Sequence, residues 1–238
     1  LPQSALKDMI RQTSFSVATE ESRPIFTGCL MEVEETGVNL VALDGFRLAL
    51  RYTELESSVG TFNALIPGRS LNEVARILGD DGDVELKLDK THVSFEIGSP
   101  RVVARLLEGE FHNYRSSIPT AFETEITMDT SELTRCLERC SLLISGKYNA
   151  PVRCKFSGGF LEVWCKTGIG EINDRIPAQI SGPDVTIGFD NRFLLEAVRA
   201  ADCDQIRIQL TGGNRVAKLV PPQGESFIFL LMPIQLRQ

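Results

Sequence analysis

The sequence has few of the residues that most enzymes use for catalysis. It contains two histidines, His92 and His112, and neither has a nucleophile or metal ligand at a typical spacing. The segment 168–170 has two glycines but lacks the third of a dinucleotide-binding loop. The acidic run 80–83 lacks the later glutamate of a calcium-binding loop and is interpreted as a solvated turn. We therefore expect no intrinsic catalysis, no metal and no cofactor.

Long apolar runs are also missing. No stretch of about 18 apolar residues occurs, so no transmembrane helix is expected. The start, residues 1–3, has no basic region followed by an apolar stretch and so does not resemble a signal peptide. It lacks an initiator methionine, which indicates that residues were removed or that the chain is a fragment. The length of 238 residues predicts two domains of about 100–150 residues each.

Cysteine is present but forms no Cys-x-x-Cys pair. The six residues are Cys29, Cys136, Cys140, Cys154, Cys165 and Cys203. Cys136 and Cys140 are four apart on the apolar side of a predicted helix, so a metal site or a disulfide is one interpretation. The other is a set of small core residues in a reducing compartment. The absence of matching histidine ligands favours the core interpretation and a cytoplasmic location.

Apolar residues recur at helical spacing in four segments. These residues are Leu6, Met9, Ile10, Thr13 and Val17 in the first, Leu71, Val74, Ala75 and Leu78 in the second, Leu133, Cys136, Leu137, Cys140 and Ile144 in the third, and Leu194, Leu195, Val198 and Ala201 in the fourth. Asp129 with Glu132 resembles a capping box, and Asp190 suits a helix cap. Strand-like stretches lie between the helices, among them 28–34, 38–43, 84–88, 92–97, 152–156, 160–165, 206–210, 216–220 and 226–232.

The order of helix, strands, helix and strands occurs twice. Residues 72–76 parallel residues 195–199, Arg69 parallels Arg192, and Leu71 parallels Leu194. Such a repeat predicts two copies of one α+β unit, joined near residues 117–125.

Charge is distributed unevenly. The chain carries a formal charge of −7, whereas the four helical segments together sum to +3. Their basic residues are spaced four or seven apart on one face, in the pairs Lys7 and Arg11, Arg69 and Arg76, Arg135 and Arg139, and Arg192 and Arg199. Such a face suits loose, sequence-independent contact with phosphates. Ordinary solvation of surface helices is the alternative.

Several short motifs, in this order and spacing, resemble a known family. They are residues 22–28 (SRPIFTG), 41–49 (VALDGFRLA), 66–71 (IPGRSL), 109–115 (GEFHNYR) and 231–234 (LMPI). The whole chain is similar to the second and third domains of the bacterial DNA polymerase III beta subunit, the beta sliding clamp.

The resemblance implies an α+β fold made of two copies of the DNA-clamp unit. Antiparallel sheets would lie outside, and two helices per domain would line the DNA side. We expect one domain over residues 1–119 and the other over 120–238, with the first domain of the family absent. Full-length members form a ring of two protomers, whereas this chain is expected to be a monomer.

The resemblance also implies a non-catalytic processivity factor. Its partners would be duplex DNA, the polymerase III catalytic subunit, the clamp loader and other proteins that carry clamp-binding peptides. A peptide groove would involve the candidate peptide residues Arg23, Phe26, Leu43, Gly45, Phe46, Arg47, Leu48, His112, Ser116, Ser117, Val216, Leu230, Leu231, Met232, Pro233 and Ile234. The candidate DNA-facing residues would be Lys7, Arg11, Arg23, Arg69, Arg76, Arg135, Arg139, Arg192 and Arg199.

Some positions depart from the family pattern. His112 stands where proline is common, Ser116 where a basic residue is common, and Phe46 where histidine is common. Gln235 and the terminal pair Arg237-Gln238 alter the usual ending. Peptide preference or affinity is expected to shift accordingly. An adaptor that binds clamp-binding peptides without encircling DNA is the alternative function.

Overall fold

The computed structural model describes residues 1–20, 23–56, 60–144 and 150–236. Ser22 of the first family motif and the terminal pair Arg237-Gln238 lie outside the described residues. The chain divides into two compact units, unit 1 over Leu1–Asn113 and unit 2 over Tyr114–Gln238. No helix within the described ranges is long and apolar enough to cross a membrane.

Unit 1 combines two helices with two antiparallel sheets. Its elements are α1 (Gln3–Thr13), β1 (Gly28–Glu34), β2 (Gly37–Leu43), β3 (Arg47–Glu54), β4 (Phe62–Pro67), α2 (Gly68–Ile77), β5 (Glu85–Leu88), β6 (His92–Glu96) and β7 (Arg101–Arg105). One sheet has the order β3-β2-β1-β4, with Leu43 opposite Leu48 and Leu30 opposite Val41. The other is the meander β5-β6-β7.

Unit 2 is built in the same way. Its elements are β8 (Thr124–Asp129), α3 (Thr130–Leu143), β9 (Val152–Ser157), β10 (Phe160–Thr167), β11 (Gly170–Pro177), β12 (Gln179–Ser181), β13 (Val185–Phe189), α4 (Asn191–Ala201), β14 (Gln205–Leu210), β15 (Ala217–Val220) and β16 (Phe227–Leu231). One sheet has the order β11-β10-β9-β13. The other places the strands in the order β12-β8-β14-β15-β16.

The two units confirm the repeat that the sequence predicts. In each, three consecutive strands and the strand before the second helix form one sheet, β3-β2-β1-β4 and β11-β10-β9-β13. The start of unit 1 corresponds to β8 of unit 2. Pro2, just before α1, forms an antiparallel bridge with Asp83, just before β5, and β8, just before α3, pairs with β14. The unit boundary at residue 113 and the sequence-based boundary at 119 both fall in the segment between β7 and β8.

The predicted apolar helix faces form the cores. Leu6, Met9 and Ile10 are fully buried, and so are Leu133 and Leu137. The apolar spacing of the first helical segment predicted a helix that reaches Val17. In the structure α1 ends at Thr13 and a short 3-10 turn follows, so Val17 lies outside the helix. Ile144 likewise lies just beyond α3, where it serves as the C-cap residue. Both residues still stay partly buried, which explains why the periodicity continued through them.

Two carboxylates begin the helices of unit 2, as predicted. Asp129 accepts hydrogen bonds from the hydroxyl of Ser131 at 2.7 Å and from the backbone N–H of Glu132 at 2.8 Å. Asp190 accepts from the backbone N–H groups of Arg192 and Phe193 at 2.8 and 3.2 Å. The bonds from Glu132, Arg192 and Phe193 satisfy backbone donors that the first helical turn leaves without partners. The hydrogen bond from Ser131, followed by that from Glu132, lowers the pKa of Asp129.

Replacement of Asp129 with alanine is expected to lower the free energy of unfolding of unit 2 by about 1 kcal/mol at neutral pH, because α3 loses its cap. Asp129→Asn, which keeps an acceptor oxygen, should lose less. Because the pKa is lowered in the folded state, the stabilisation is full above the unfolded-state pKa and disappears as the pH falls through the folded-state pKa. Urea unfolding monitored by circular dichroism at several pH values measures both effects. A loss of stability that persists unchanged at the acid end would contradict the carboxylate's role.

Candidate functional site

The hairpin turn between β2 and β3 carries several candidate peptide residues. The Asp44 carboxylate accepts from the backbone N–H of Phe46 at 2.9 Å and from that of Arg47 at 3.1 Å. Gly45, which lies between Asp44 and Phe46, has a φ of +96°, a conformation that favours glycine. Phe46, at the tip, is 63% exposed. The short Asp-Gly turn therefore presents a large apolar side chain to the solvent.

Arg47 is more deeply engaged than the sequence suggested. Its Nε donates to Asp44 Oδ2 at 3.0 Å, and both side chains are largely buried. Its guanidinium also lies over the ring of Phe15, 5.5 Å from the centroid. Neither the pairing with Asp44 nor the contact with Phe15 was predicted from the sequence. Much of the Arg47 charge is therefore neutralised within unit 1.

The other candidate peptide residues of unit 1 are mostly apolar. Phe26 is 9% exposed and makes an edge-to-face contact with Phe111, with ring centroids 6.1 Å apart. Arg23 lies over the Phe26 ring at 5.9 Å. Leu43 and Leu48 are buried opposite each other on β2 and β3. Phe111 was not among the predicted residues, although it belongs to the motif at 109–115.

Three candidate peptide residues lie in the segment between β7 and β8. His112 is exposed at the end of unit 1, outside any helix or strand. Ser116 and Ser117 are exposed in the short 3-10 turn Tyr114–Ser117 at the start of unit 2. Small and polar side chains at these positions suit the rim of a binding surface better than its apolar centre.

Most of the candidate peptide residues of unit 2 follow β16 into the C-terminal segment, residues 232–236. Leu230 and Leu231 are buried at the end of β16, but Met232 is 53% exposed. Pro233 and Ile234 are partly buried, as is Val216 immediately before β15. The backbone N–H of Ile234 donates to the carbonyl of Gly188 on β13 at 2.8 Å. This bond, which was not predicted from the sequence, fixes the segment after Met232.

The candidate DNA-facing residues are largely ion-paired. The pairs are Lys7 with Asp80 at 3.0 Å, Arg11 with Asp8 at 3.4 Å, Arg76 with Glu73 at 2.7 Å, Arg135 with Glu132 at 4.0 Å, Arg139 with Asp174 at 2.9 Å and Arg199 with Glu138 at 2.6 Å. Arg192 lies over the Phe193 ring at 4.9 Å, and Arg69 is exposed in the first turn of α2. The helices thus present cations whose charge is balanced locally by neighbouring carboxylates.

Within the described part of the chain, His92 takes part in no triad-like arrangement. His92 is the first residue of β6, and its Nδ1 lies 2.9 Å from Thr91 Oγ1 and 3.8 Å from Asp89 Oδ1. Both contacts involve the same ring nitrogen, so the imidazole does not bridge a nucleophile and a carboxylate as in a catalytic triad. Among the described residues, no group of three or more His, Cys, Asp or Glu side chains is placed to hold a metal ion.

Five of the cysteines are core residues. All six thiols are free, and Cys203 is the one with partial exposure. Burial raises the pKa of Cys29 to about 12 and that of Cys165 to about 11. At neutral pH these two thiols therefore stay protonated, which makes them poor nucleophiles and poor metal ligands.

Unit 1 also has an apolar cavity that the sequence did not predict. Its volume is about 420 Å³, and it is lined by Leu1, Met31, Val33, Val38, Leu55, Gly60, Thr61, Phe62, Val84, Glu85 and Leu86. The lining contains one titratable side chain, that of Glu85, and none of the candidate residues of either set. A catalytic site would need several converging polar groups.

Comparison with known proteins assigns both units to one family. A model of the DNA polymerase III beta subunit central domain matches residues 1–113, and a model of its C-terminal domain matches residues 115–235. The curated beta sliding clamp of Bacillus subtilis is 33% identical over 240 residues, which cover 99% of this chain and 64% of the relative. That of Staphylococcus aureus is 28% identical over 233 residues, which cover 97% and 62%. The chain therefore spans slightly less than two thirds of the length of these relatives.

Solved structures give the same result. The crystal structure of the DNA polymerase sliding clamp from Bacillus subtilis matches with a TM-score of 0.95 and 33% identity, over 100% of this chain and 64% of that one. A putative DNA polymerase III beta subunit from Eubacterium rectale matches with a TM-score of 0.94 and 30% identity, over 98% and 64%. The repeated α+β units and these matches show that the chain belongs to the DNA polymerase III beta subunit, or beta sliding clamp, family.

Proposed function

We propose that this chain provides two of the repeated units of a replication sliding clamp, a non-catalytic ring that encloses duplex DNA and tethers the polymerase. The observation that carries the proposal is the match of both units, in order, to the central and C-terminal domains of the beta subunit. The remaining unit of each protomer would come from a first clamp domain outside this chain. Partner proteins would be the polymerase catalytic subunit, the clamp loader and other carriers of clamp-binding peptides.

The electrostatics of the helices suit a ring that slides. A protein that grips DNA needs many unpaired cations, and each phosphate contact makes binding more salt-sensitive. Here six of the nine candidate DNA-facing side chains already contact a carboxylate, and the chain as a whole carries −7. Such a surface attracts phosphates weakly. Enclosure of the duplex would supply the retention that the contacts lack.

The exposed apolar side chains suit peptide recognition. Phe46 and Met232 are both more than half exposed, and both belong to the candidate peptide residues. Apolar anchors of a linear peptide bind to surfaces of this kind, with backbone and polar groups at the rim for orientation. We infer that the apolar anchors of a clamp-binding peptide contact Phe26, Leu48, Met232 and Ile234, the apolar socket that the family resemblance implies.

Retention on DNA of different topology tests the ring. A protein that carries this chain behind a first clamp domain should remain bound, after loading, to nicked circular DNA. It should leave the same DNA within minutes of linearisation, because a ring slides off free ends. Gel filtration of labelled protein with each DNA measures the difference. Equal retention on both forms would mean that contacts rather than enclosure hold the protein. Peptide binding without retention on circles would favour the adaptor function.

A further inference from the structure

Gly188 occupies an unusual place in β13. Its neighbours Ile187 and Phe189 are fully buried in the core of unit 2. Gly188 is itself buried, although alternation places it on the opposite face of the strand. Its carbonyl accepts the 2.8 Å hydrogen bond from the N–H of Ile234. The C-terminal segment therefore lies on β13 at this residue.

Space, and not backbone conformation, requires glycine here. The φ of Gly188 lies outside the left-handed region, so other residues could adopt the same backbone. A Cβ atom at this position would lie 2.6 Å from the carbonyl oxygen of Ile234 and 2.7 Å from Cδ2 of Leu236. The first of these is a backbone atom, so any side chain on residue 188 would push the C-terminal segment away. Glycine within a strand commonly marks such a close backbone approach.

The docked segment restrains Met232 from both sides. Leu231, the residue before it, is paired with Ala217 at the end of β16. Ile234, two residues after it, is held on Gly188. Met232 thus lies on a short connection between two fixed points, although its side chain is 53% exposed. A long flexible side chain gains binding affinity when its backbone is fixed beforehand.

We propose that Gly188 is a positioning residue for the candidate peptide site: it accepts the C-terminal segment on β13 and so holds Met232 ready for the peptide. The inference rests on the proposed peptide-binding function. Substitution of Gly188 would leave every candidate peptide residue unchanged but would reduce the population of the docked, binding-competent segment. Affinity falls in proportion to that population.

Two substitutions test the proposal in this chain. Gly188→Ala blocks docking from the strand, and Leu236→Ala removes the side chain that lies over Gly188 while β13 stays unchanged. Gly79→Ala is the matched control, because a Cβ atom there meets other atoms no closer than 3.5 Å. Hydrogen exchange at the Ile234 amide reports docking directly. Stopped-flow binding of a fluorescent Gln-Leu-x-Leu-Phe peptide reports the effect on the site.

We expect Gly188→Ala and Leu236→Ala to speed exchange at Ile234 and to slow peptide association about tenfold, with little change in dissociation, because only the competent fraction changes. Gly79→Ala should behave as the unsubstituted chain. Unchanged exchange at Ile234 in a folded Gly188→Ala chain would overturn the docking role. Faster exchange with unchanged association would overturn the link to binding. If the unsubstituted chain binds no peptide, the peptide-binding function fails, while the exchange result still decides whether Gly188 docks the segment.

Discussion

Alanine at position 232 is expected to weaken binding of a Gln-Leu-x-Leu-Phe peptide by about 1–3 kcal/mol, a factor of roughly 5 to 150 in Kd. Met232 is 53% exposed, whereas Leu230 and Leu231 before it are buried. The thioether chain is long and polarisable, so it can adapt to an apolar anchor of the peptide. Its truncation removes contact area from the centre of the proposed socket. Fluorescence anisotropy titration of the labelled peptide against the chain measures the loss.

Leu142→Ala is the matched control for this experiment. Leu142 is an exposed apolar residue of unit 2, 76% exposed near the end of α3, and it belongs to neither candidate set. Its truncation removes a similar apolar area, so peptide affinity should stay unchanged. Both variants should keep the thermal midpoint of the parent chain, because exposed side chains contribute little to the core. Equal affinity of the Met232→Ala and parent chains would remove Met232 from the socket.

The sequence predicted the helices well because their buried faces are regular. Leu133, Cys136, Leu137 and Cys140 recur at helical spacing, and all four are buried in α3. The cap at Asp129 marked the start of that helix. The ends of the helices were predicted less accurately, because apolar residues such as Val17 continue the helical spacing past the turn that follows α1. The spacing of apolar residues indicates which side chains are buried, and buried side chains also occur beyond the end of a helix.

Strand β11 shows why other elements were missed. Its inward side is formed by Ile172, Asp174 and Ile176, so a carboxylate interrupts the apolar alternation. Asp174 is tolerated there because Arg139 of α3 donates to it at 2.9 Å. A partner 35 residues away in the sequence cannot be read from a local pattern. The same limit applied to the contact of Arg47 with Phe15, which lies on a distant part of the sequence, whereas its partner Asp44 is close by.

The candidate site depended more on resemblance than on pattern. Nothing in the local sequence distinguishes Met232 from the apolar residues of β16, and its exposure became evident only in the fold. Gly188 did carry a signal, because an isolated glycine between Ile187 and Phe189 in a strand indicates close approach of another chain segment. The sequence could not tell which segment approaches. That required the hydrogen bond from Ile234.

Charge reversal on the helices is expected to reduce loading onto DNA to background. The variant carries glutamate at positions 11, 76, 139 and 199, within a protein that joins this chain to a first clamp domain. Each replacement exchanges a positive for a negative charge, so the four helices change from +3 to −5. Glutamate would also face the carboxylates that now balance these arginines, among them Asp8 and Glu138. A duplex enclosed by such a face would meet repulsion along its phosphates.

A control variant replaces four arginines on strands and has the same net charge as the helix variant. Arg101, Arg105, Arg153 and Arg175 are all exposed, and replacement of these four with glutamate changes the protein by the same eight charges. Loading should survive in this control if the helices face DNA, and it should fail in both variants if bulk charge alone matters. Peptide binding should be retained in both, because neither set includes a candidate peptide residue. Exposed ion pairs contribute only about 0–1 kcal/mol each. Because Asp174, the partner of Arg139, is partly buried, circular dichroism of both variants checks that they fold. Normal loading of the helix variant would show that these helices do not line the DNA.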